Sequence, residues 1–298
     1  MIESVAERPP TPIAMSTPTW STLGHLPPSA LHPARLNLHY AAQLLAAAAY
    51  ATLPTAPDHS HSNFLWSVER DGLVGRPLSS GDRVFLDPVR LRCGLLNAGG
   101  AERGGLDLEG MTLTAAFDAL AEALRRAGAQ LPEVGLELPA YDLPAADLAQ
   151  AGTFGRDGDA LAELSHWFHD AQLALAGVAE ARLAGAEVRG WPHHFDLAAL
   201  RTLDPDADPE AARSVGAGFS PGDGSYAEPY FYVSPWPAPA PARLPDLGSG
   251  AHWHTAGFTS AVLPASAIVA HTDGAAQARV VQAFLDEAVG ASLGLLEG

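Results

Sequence analysis

The chain has 298 residues, 47% of them hydrophobic and 17% charged, and its formal net charge is −17 with all 17 basic residues arginine. The absence of lysine excludes Schiff-base chemistry, a pyridoxal phosphate anchor and a Walker-type phosphate loop, while the acidic balance argues against nucleic acid or a membrane surface as a partner. A single cysteine, Cys93, excludes a disulfide framework, and no apolar run approaches the roughly 20 residues of a membrane span, so a cytoplasmic protein is expected.

The first residues are rich in proline and carry no basic start followed by an apolar block, so residues 1–30 are expected to be a disordered segment and not a signal peptide. Helical spacing of Leu36, Tyr40, Leu44 and Ala48 predicts a helix from about Pro33 to Thr52, ended by Pro54 and Pro57. Strands are predicted at Asn63 to Glu69, Arg83 to Asp87 and Val89 to Cys93, followed by a helix from about Thr114 to Ala127 and a short strand near Val134 to Leu138. The pattern then restarts. A long helix is expected over Asp159 to Leu183, strands at Ala186 to Leu197, Ser214 to Phe219, Glu228 to Ser234 and His252 to Leu263, and a closing helix from about Gly274 to Leu293. Prolines between Pro235 and Pro245 predict a semi-rigid crossover.

The recurrence predicts an α+β fold in which two related helix–strands–helix halves, about 31–145 and 155–298, form one compact domain with a mainly antiparallel sheet. Ala42-Gln43-Leu44 and Ala171-Gln172-Leu173 sit comparably in the two opening helices, with Trp66 and Trp191 following them. Each half alone is too small to bury its sheet well, so the two are expected to share a core.

Two motifs fail on their chemistry. Gly218-Phe219-Ser220-Pro221-Gly222 matches a nucleophile elbow, yet Pro221 lacks the N–H that the oxyanion hole needs and no helical pattern follows. Asp204, Asp206 and Asp208 open like a calcium loop, but Pro209 replaces the glycine and Val215 the glutamate.

Histidine occurs in pairs: His59 with His61, His166 with His169, His193 with His194, and His252 with His254. Strand alternation puts His194 and Asp196 on one face and Trp191, His193 and Phe195 on the other. Along the next segment it gathers Glu228, Tyr230, Tyr232, Ser234 and Trp236 opposite Phe231 and Val233, and it places His252 and His254 together. If these faces line one cavity, His194, Asp196, Glu228 and Tyr230 are the candidate catalytic residues. His194, His252, His254 and Glu228 are then the candidate ligands of a divalent zinc, iron or manganese ion. A metal-free polar pocket or a purely structural network is the competing reading. His166 and His169, flanking Trp167 and Phe168, are expected at a boundary between core and solvent, and His59 and His61 in an exposed polar loop.

At Leu38-His39 with Gln43, Asn63 with Trp66, Trp191 with Phe195-Asp196-Leu197, Gly218 to Gly222, and Tyr230-Phe231-Tyr232 with Pro235 and Pro237, the chain resembles an uncharacterised bacterial family, domain of unknown function 5996. The order of these pieces holds from about residue 31 to the C-terminus, with departures at Phe64 and at Pro192-His193-His194. The resemblance implies a single domain with important central strands, and it implies no activity. The functional expectation is therefore a small-molecule enzyme, metal-dependent if the histidines and Glu228 share an ion, with its pocket in the C-terminal half. The alternative is a non-catalytic ligand-binding or structural protein.

Overall fold

A computed structural model describes residues 19–208, 211–248 and 250–297. Its frame is one 11-stranded antiparallel sheet in the order β10-β11-β9-β8-β7-β6-β1-β2-β3-β4-β5. In the first half β1 is Phe64–Ser67, β2 Gly72–Gly75, β3 Arg83–Asp87, β4 Arg92–Leu96 and β5 Glu102–Asp107. In the second β6 is Arg189–Trp191, β7 Asp196–Thr202, β8 Ser214–Ser220, β9 Tyr230–Trp236, β10 His252–His254 and β11 Ser260–Pro264. The first half is a meander running outward from the centre, the second runs outward from β6 to β9 and then crosses to edge strand β10 with β11 returning between them, and the two halves meet where Phe64 of β1 pairs with Gly190 of β6.

Helices α1 (His32–Thr52), α2 (Leu113–Arg126), α3 (Gly158–Arg182), α4 (Ala265–Val269) and α5 (Gly274–Glu297) complete the fold. Along the sheet, α2 packs on β4 and β5, α1 on β2 and β3, α3 on β1, β7 and β8, and α5 on β8, β9 and β11. The Thr112 hydroxyl caps α2 by accepting from Ala115 N, and the Asp157 carboxylate caps α3 by accepting from Ala160 N. Helix α1 is buried nearly all round, which its alanines permit by letting α2, α3 and the sheet approach closely.

Alternation along the strands divides the sheet cleanly. Val84 and Leu86 of β3, Val215, Ala217 and Phe219 of β8, and Phe231 and Val233 of β9 join the main core under the helices. Trp167 of α3 stacks on Phe219, and Phe168 meets both Phe195 and Phe219. On the opposite face the first half carries a small apolar cluster of Val74, Phe85 and Leu96, whereas the second half carries hydroxyls and carboxyls.

The long helices and most strands lie close to their expected positions, but five expectations need correction. Val134 to Leu138 is no strand: Val134 is exposed in a turn between α2 and the next segment. The segment from Ala186 to Leu197 is two strands joined by a tight turn at 192–195, and His252 to Leu263 is likewise split into β10 and β11. The Val89 to Cys93 strand begins later, at Arg92, because residues 88–91 form the turn. Disorder was expected to residue 30. Residues 1–18 lie outside the described ones, but from Ser21 the chain is tied down: Ser21 N donates to the Asp170 carboxyl, Gly24 N to Glu163, and Leu23 N to Gln277. No helix among the described residues is long and apolar enough to cross a membrane.

Candidate functional site

The face of β7, β8, β9 and β11 turned away from the helices forms a hollow of about 300 Å³ lined by His194, Asp196, Ser220, Asp223, Tyr230, Tyr232, Ser234, Phe258 and Ser260. A larger depression of about 670 Å³ runs beside β1 and α3, but it is open and fringed by solvated arginine and glutamate. The polar groups converge in the smaller hollow.

Its geometry follows from two glycines, Gly218 on β8 and Gly222 in the loop that follows it. A Cβ at Gly218 would lie 2.3 Å from Cζ of Tyr232, so the tyrosine ring occupies the space that a side chain on β8 would fill. The phenol of β9 thereby crosses β8 and donates to Oδ2 of Asp196 on β7 at 2.5 Å. The second, Gly222, has φ of +108° and would bring a Cβ within 2.4 Å of Arg35 Nη1, so only glycine fits between the loop and the first turn of α1. That loop is braced by Asp223, whose Oδ1 accepts from the N–H groups of Ser225 and Tyr226 and whose Oδ2 accepts from the Tyr230 hydroxyl.

Asp196 is the least ordinary group. It is 8% exposed, its Oδ1 is buried without a hydrogen-bond partner, and Tyr232 alone serves Oδ2. Burial pushes its pKa above the usual carboxylate range, against the weaker pull of the Tyr232 hydrogen bond and of His194. Tyr232 is held well above the ordinary phenol value by burial and by the adjacent carboxylate. Tyr230 is raised too, first by burial and then by Asp223.

The turn that presents these groups is itself strained. Phe195, a non-glycine residue, has φ of +56°, and its N–H closes on Trp191 O at 2.6 Å. It is held by stacking on His39 at 5.1 Å between ring centroids, and Pro192 O accepts from both His39 Nε2 and Gln43 Nε2. Burial lowers the His39 pKa to about 4, so the neutral ring donates to this carbonyl. Thus α1 fixes the turn, and the turn fixes His194 and Asp196.

Among the expected site residues, His194, Asp196 and Tyr230 share this hollow, and Glu228 does not. Glu228 accepts from Ser266 N at 2.6 Å and from Ser266 Oγ at 3.0 Å, capping the first turn of α4 before β9 begins. His252 and His254 face the same side of the sheet on edge strand β10, but β8, β9 and β11 lie between them and β7. Four strand spacings amount to about 19 Å measured along the sheet, so they and His194 are not placed around one ion. Their ring nitrogens are also engaged. His254 Nε2 donates to Ala256 O, which leaves Nδ1 to accept from the Tyr226 hydroxyl, and His252 Nε2 in turn donates to that hydroxyl. No group of three or more His, Cys, Asp or Glu among the described residues is arranged to hold a metal ion.

The strand reading of His193 and His194 is corrected to a turn: His194 lines the hollow and Phe195 enters the core as expected, but Trp191, expected opposite Asp196, pairs with it across β6 and β7 and so shares its face. His193 instead joins His59 at 5.2 Å and Tyr141 at 5.5 Å. Nor are His59 and His61 exposed in a loop. His61 is buried against Tyr50 and accepts from Ala56 N, and His59 shares a 2.7 Å hydrogen bond with the Tyr50 hydroxyl. His169 pairs with Asp71 on the rim of the first half. Cys93 is buried, its thiol pushed up to about 12, which leaves it no nucleophilic role at neutral pH.

No family model, no curated protein and no solved structure matches the chain. The site therefore rests on its own chemistry. Residues that sequence reasoning missed are Asp223, Ser260, Phe258 and Arg35. Arg35 could not be found by pattern, because its guanidinium, buried with Nη1 unpartnered, reaches the hollow's loop only through the tertiary fold.

Proposed function

We propose that the hollow is the active site of a small-molecule enzyme that works by proton transfer, with Asp196 as the acid, Tyr232 as its hydrogen-bonded partner and His194 at the mouth. The observation that carries this reading is the buried Asp196 carboxyl with one oxygen unpartnered beside a hydroxyl-lined cavity. A buried unsatisfied oxygen costs about 1–3 kcal/mol, which a purely structural role does not recover. A carboxyl whose charged form is disfavoured by burial can donate a hydrogen bond or a proton to a bound carbonyl, ether or alkoxide oxygen. Tyr232 then stabilises the carboxylate left behind, and the exposed His194 exchanges the proton with solvent. Strain at Phe195, one residue before the acid, agrees with a position held for chemistry.

The experiment is conversion of pooled small metabolites followed by mass spectrometry. Wild-type protein is expected to convert at least one compound, Asp196→Asn to abolish that conversion and Tyr232→Phe to slow it. Equal conversion by Asp196→Asn would remove the reading, and binding without conversion by the wild type would favour a non-catalytic pocket.

The proposal extends to the setting of the site. Helix, outward-running strands and helix occur on each side of the β1–β6 junction, which supports an internal duplication. The segments that resemble the uncharacterised family supply His39, Gln43, Phe195, Asp196, Ser220, Tyr230 and Tyr232, all at or behind this hollow. A reducing, cytoplasmic location fits the lone buried thiol.

A further inference from the structure

The hollow's lining is nearly all hydroxyl and carboxyl, and the disposition of its protons limits what it can hold. The Tyr230 proton is given to Asp223 and the Tyr232 proton to Asp196, so both phenol oxygens are left as acceptors. Ser220 Oγ accepts from Gly222 N, and its own hydrogen is engaged with the Tyr230 oxygen. Ser234 and Ser260 face each other at 2.5 Å between their oxygens, so one hydrogen is shared and the other is free. A complementary ligand both donates and accepts at several closely spaced points, as adjacent hydroxyl groups do.

Charge narrows the class further. No arginine lines the hollow, so a phosphate or carboxylate ligand would meet the Asp223 carboxylate, with the Arg35 guanidinium only behind the loop. Asp223 is already committed to two backbone N–H groups and to Tyr230, and the buried Arg35 guanidinium lies close enough to act on it electrostatically. A cationic ligand thus finds no unspent carboxylate there, and Asp196 is disfavoured as an anion by its burial. One wall is apolar: Phe258 is 42% exposed and stacks with His254 at 4.1 Å between ring centroids. The volume of about 300 Å³ stands at the lower end of the range of about 300–1,000 Å³ for small-molecule sites.

We infer that the hollow takes a neutral, polyhydroxylated small molecule of monosaccharide size, laid flat against the Phe258 ring with its hydroxyls on Ser220, Tyr230, Tyr232 and the Ser234–Ser260 pair. This rests on the small-molecule reading above and names its substrate class. An aromatic plate opposite a hydroxyl-rich wall accommodates a ring whose faces carry C–H groups and whose edge carries O–H groups.

Titration calorimetry on the full chain, with backbone NMR to locate the site, tests the inference. The probes are glucose, galactose, mannose, xylose and myo-inositol, with glucosamine, gluconate and glucose 6-phosphate as charged matches. At least one neutral probe is expected to bind and to shift amides of β8 and β9, with its charged matches about tenfold weaker or worse. The exposed Phe258→Ala substitution should weaken it by about tenfold. Failure of every neutral probe at its solubility limit, tighter binding of a charged match, or unchanged affinity in Phe258→Ala would overturn the inference. The outcomes separate from those of the proton-transfer reading. A neutral sugar bound but never converted sinks the enzyme and keeps the ligand class, and conversion of an amine or a phosphate does the reverse.

Discussion

Burying the Asp196 carboxyl disfavours its charged form, and the consequence for stability has a definite sign. Its pKa is raised in the folded state, so its contribution is fully present below the unfolded value near 3.8 and is lost as pH rises through the folded value. Asp196→Asn should therefore melt progressively higher than wild type as pH rises above 3.8, while losing the proposed chemistry. Parallel melting curves across that range would show that the carboxyl ionises normally. The opposite sign applies to His193 and His39, both lowered to about 4, chiefly by burial. Their stabilisation is present above the unfolded value of 6.5 and falls away as pH drops towards 4, so His193→Gln should flatten the acid limb of the stability profile. At Gly218 the issue is space. Alanine there displaces the Tyr232 ring, and overpacking of this kind costs about 1–3 kcal/mol, measurable by urea denaturation, together with loss of the Tyr232–Asp196 hydrogen bond.

At the scale of elements, the N-terminal segment and α3 share a pH-sensitive clasp. Asp170 is raised to about 8, mainly by burial and also by neighbouring Glu163, and it still accepts from Ser21 N. Its stabilising effect is complete below about 3.8 and lost as pH rises to 8, so Asp170→Asn should remove that alkaline loss. Amide exchange at Leu23 and Gly24 that accelerates equally in both proteins between pH 4 and 8 would contradict this.

Elements with a strong period were legible in the sequence. Phe231 and Val233 point to the core and Tyr230, Tyr232 and Ser234 to the hollow as alternation on β9 requires, and α1, α2, α3 and α5 follow from spacing and caps. Strand β2, Gly72–Gly75, is too short to show a period, and β5 is an exposed edge whose Gly104-Gly105 carries no apolar alternation. The turn at 192–195 was hidden because Phe195 adopts a left-handed conformation that its side chain does not advertise. The site was half legible. Strand faces could be read, but strand neighbours could not, so the β10 histidines were grouped with β7 across three intervening strands, and Glu228, which caps α4, was grouped with them.

The whole molecule depends on one seam. The two halves join through β1 and β6, where the Phe64 ring fills the place of a side chain at Gly190, with only 2.0 Å left for a Cβ. Phe64→Ala should cost about 3–5 kcal/mol by leaving a cavity at the junction, and Gly190→Val should separate the unfolding of the halves into two transitions in calorimetry. A single unchanged transition in Gly190→Val would mean that the helices alone hold the halves together. The seam also matters for the site, since β6 leads directly into the turn that carries His194 and Asp196.

Most depends on whether the fold shifts the Asp196 carboxyl towards its protonated form beside the hollow. Carbon-13 NMR of the aspartate carboxyls, with Asp196 assigned by comparison with Asp196→Asn, measures this directly. The account predicts a midpoint displaced upward from 3.8 that moves further upward in Tyr232→Phe, and a midpoint at or below 3.8 would contradict it.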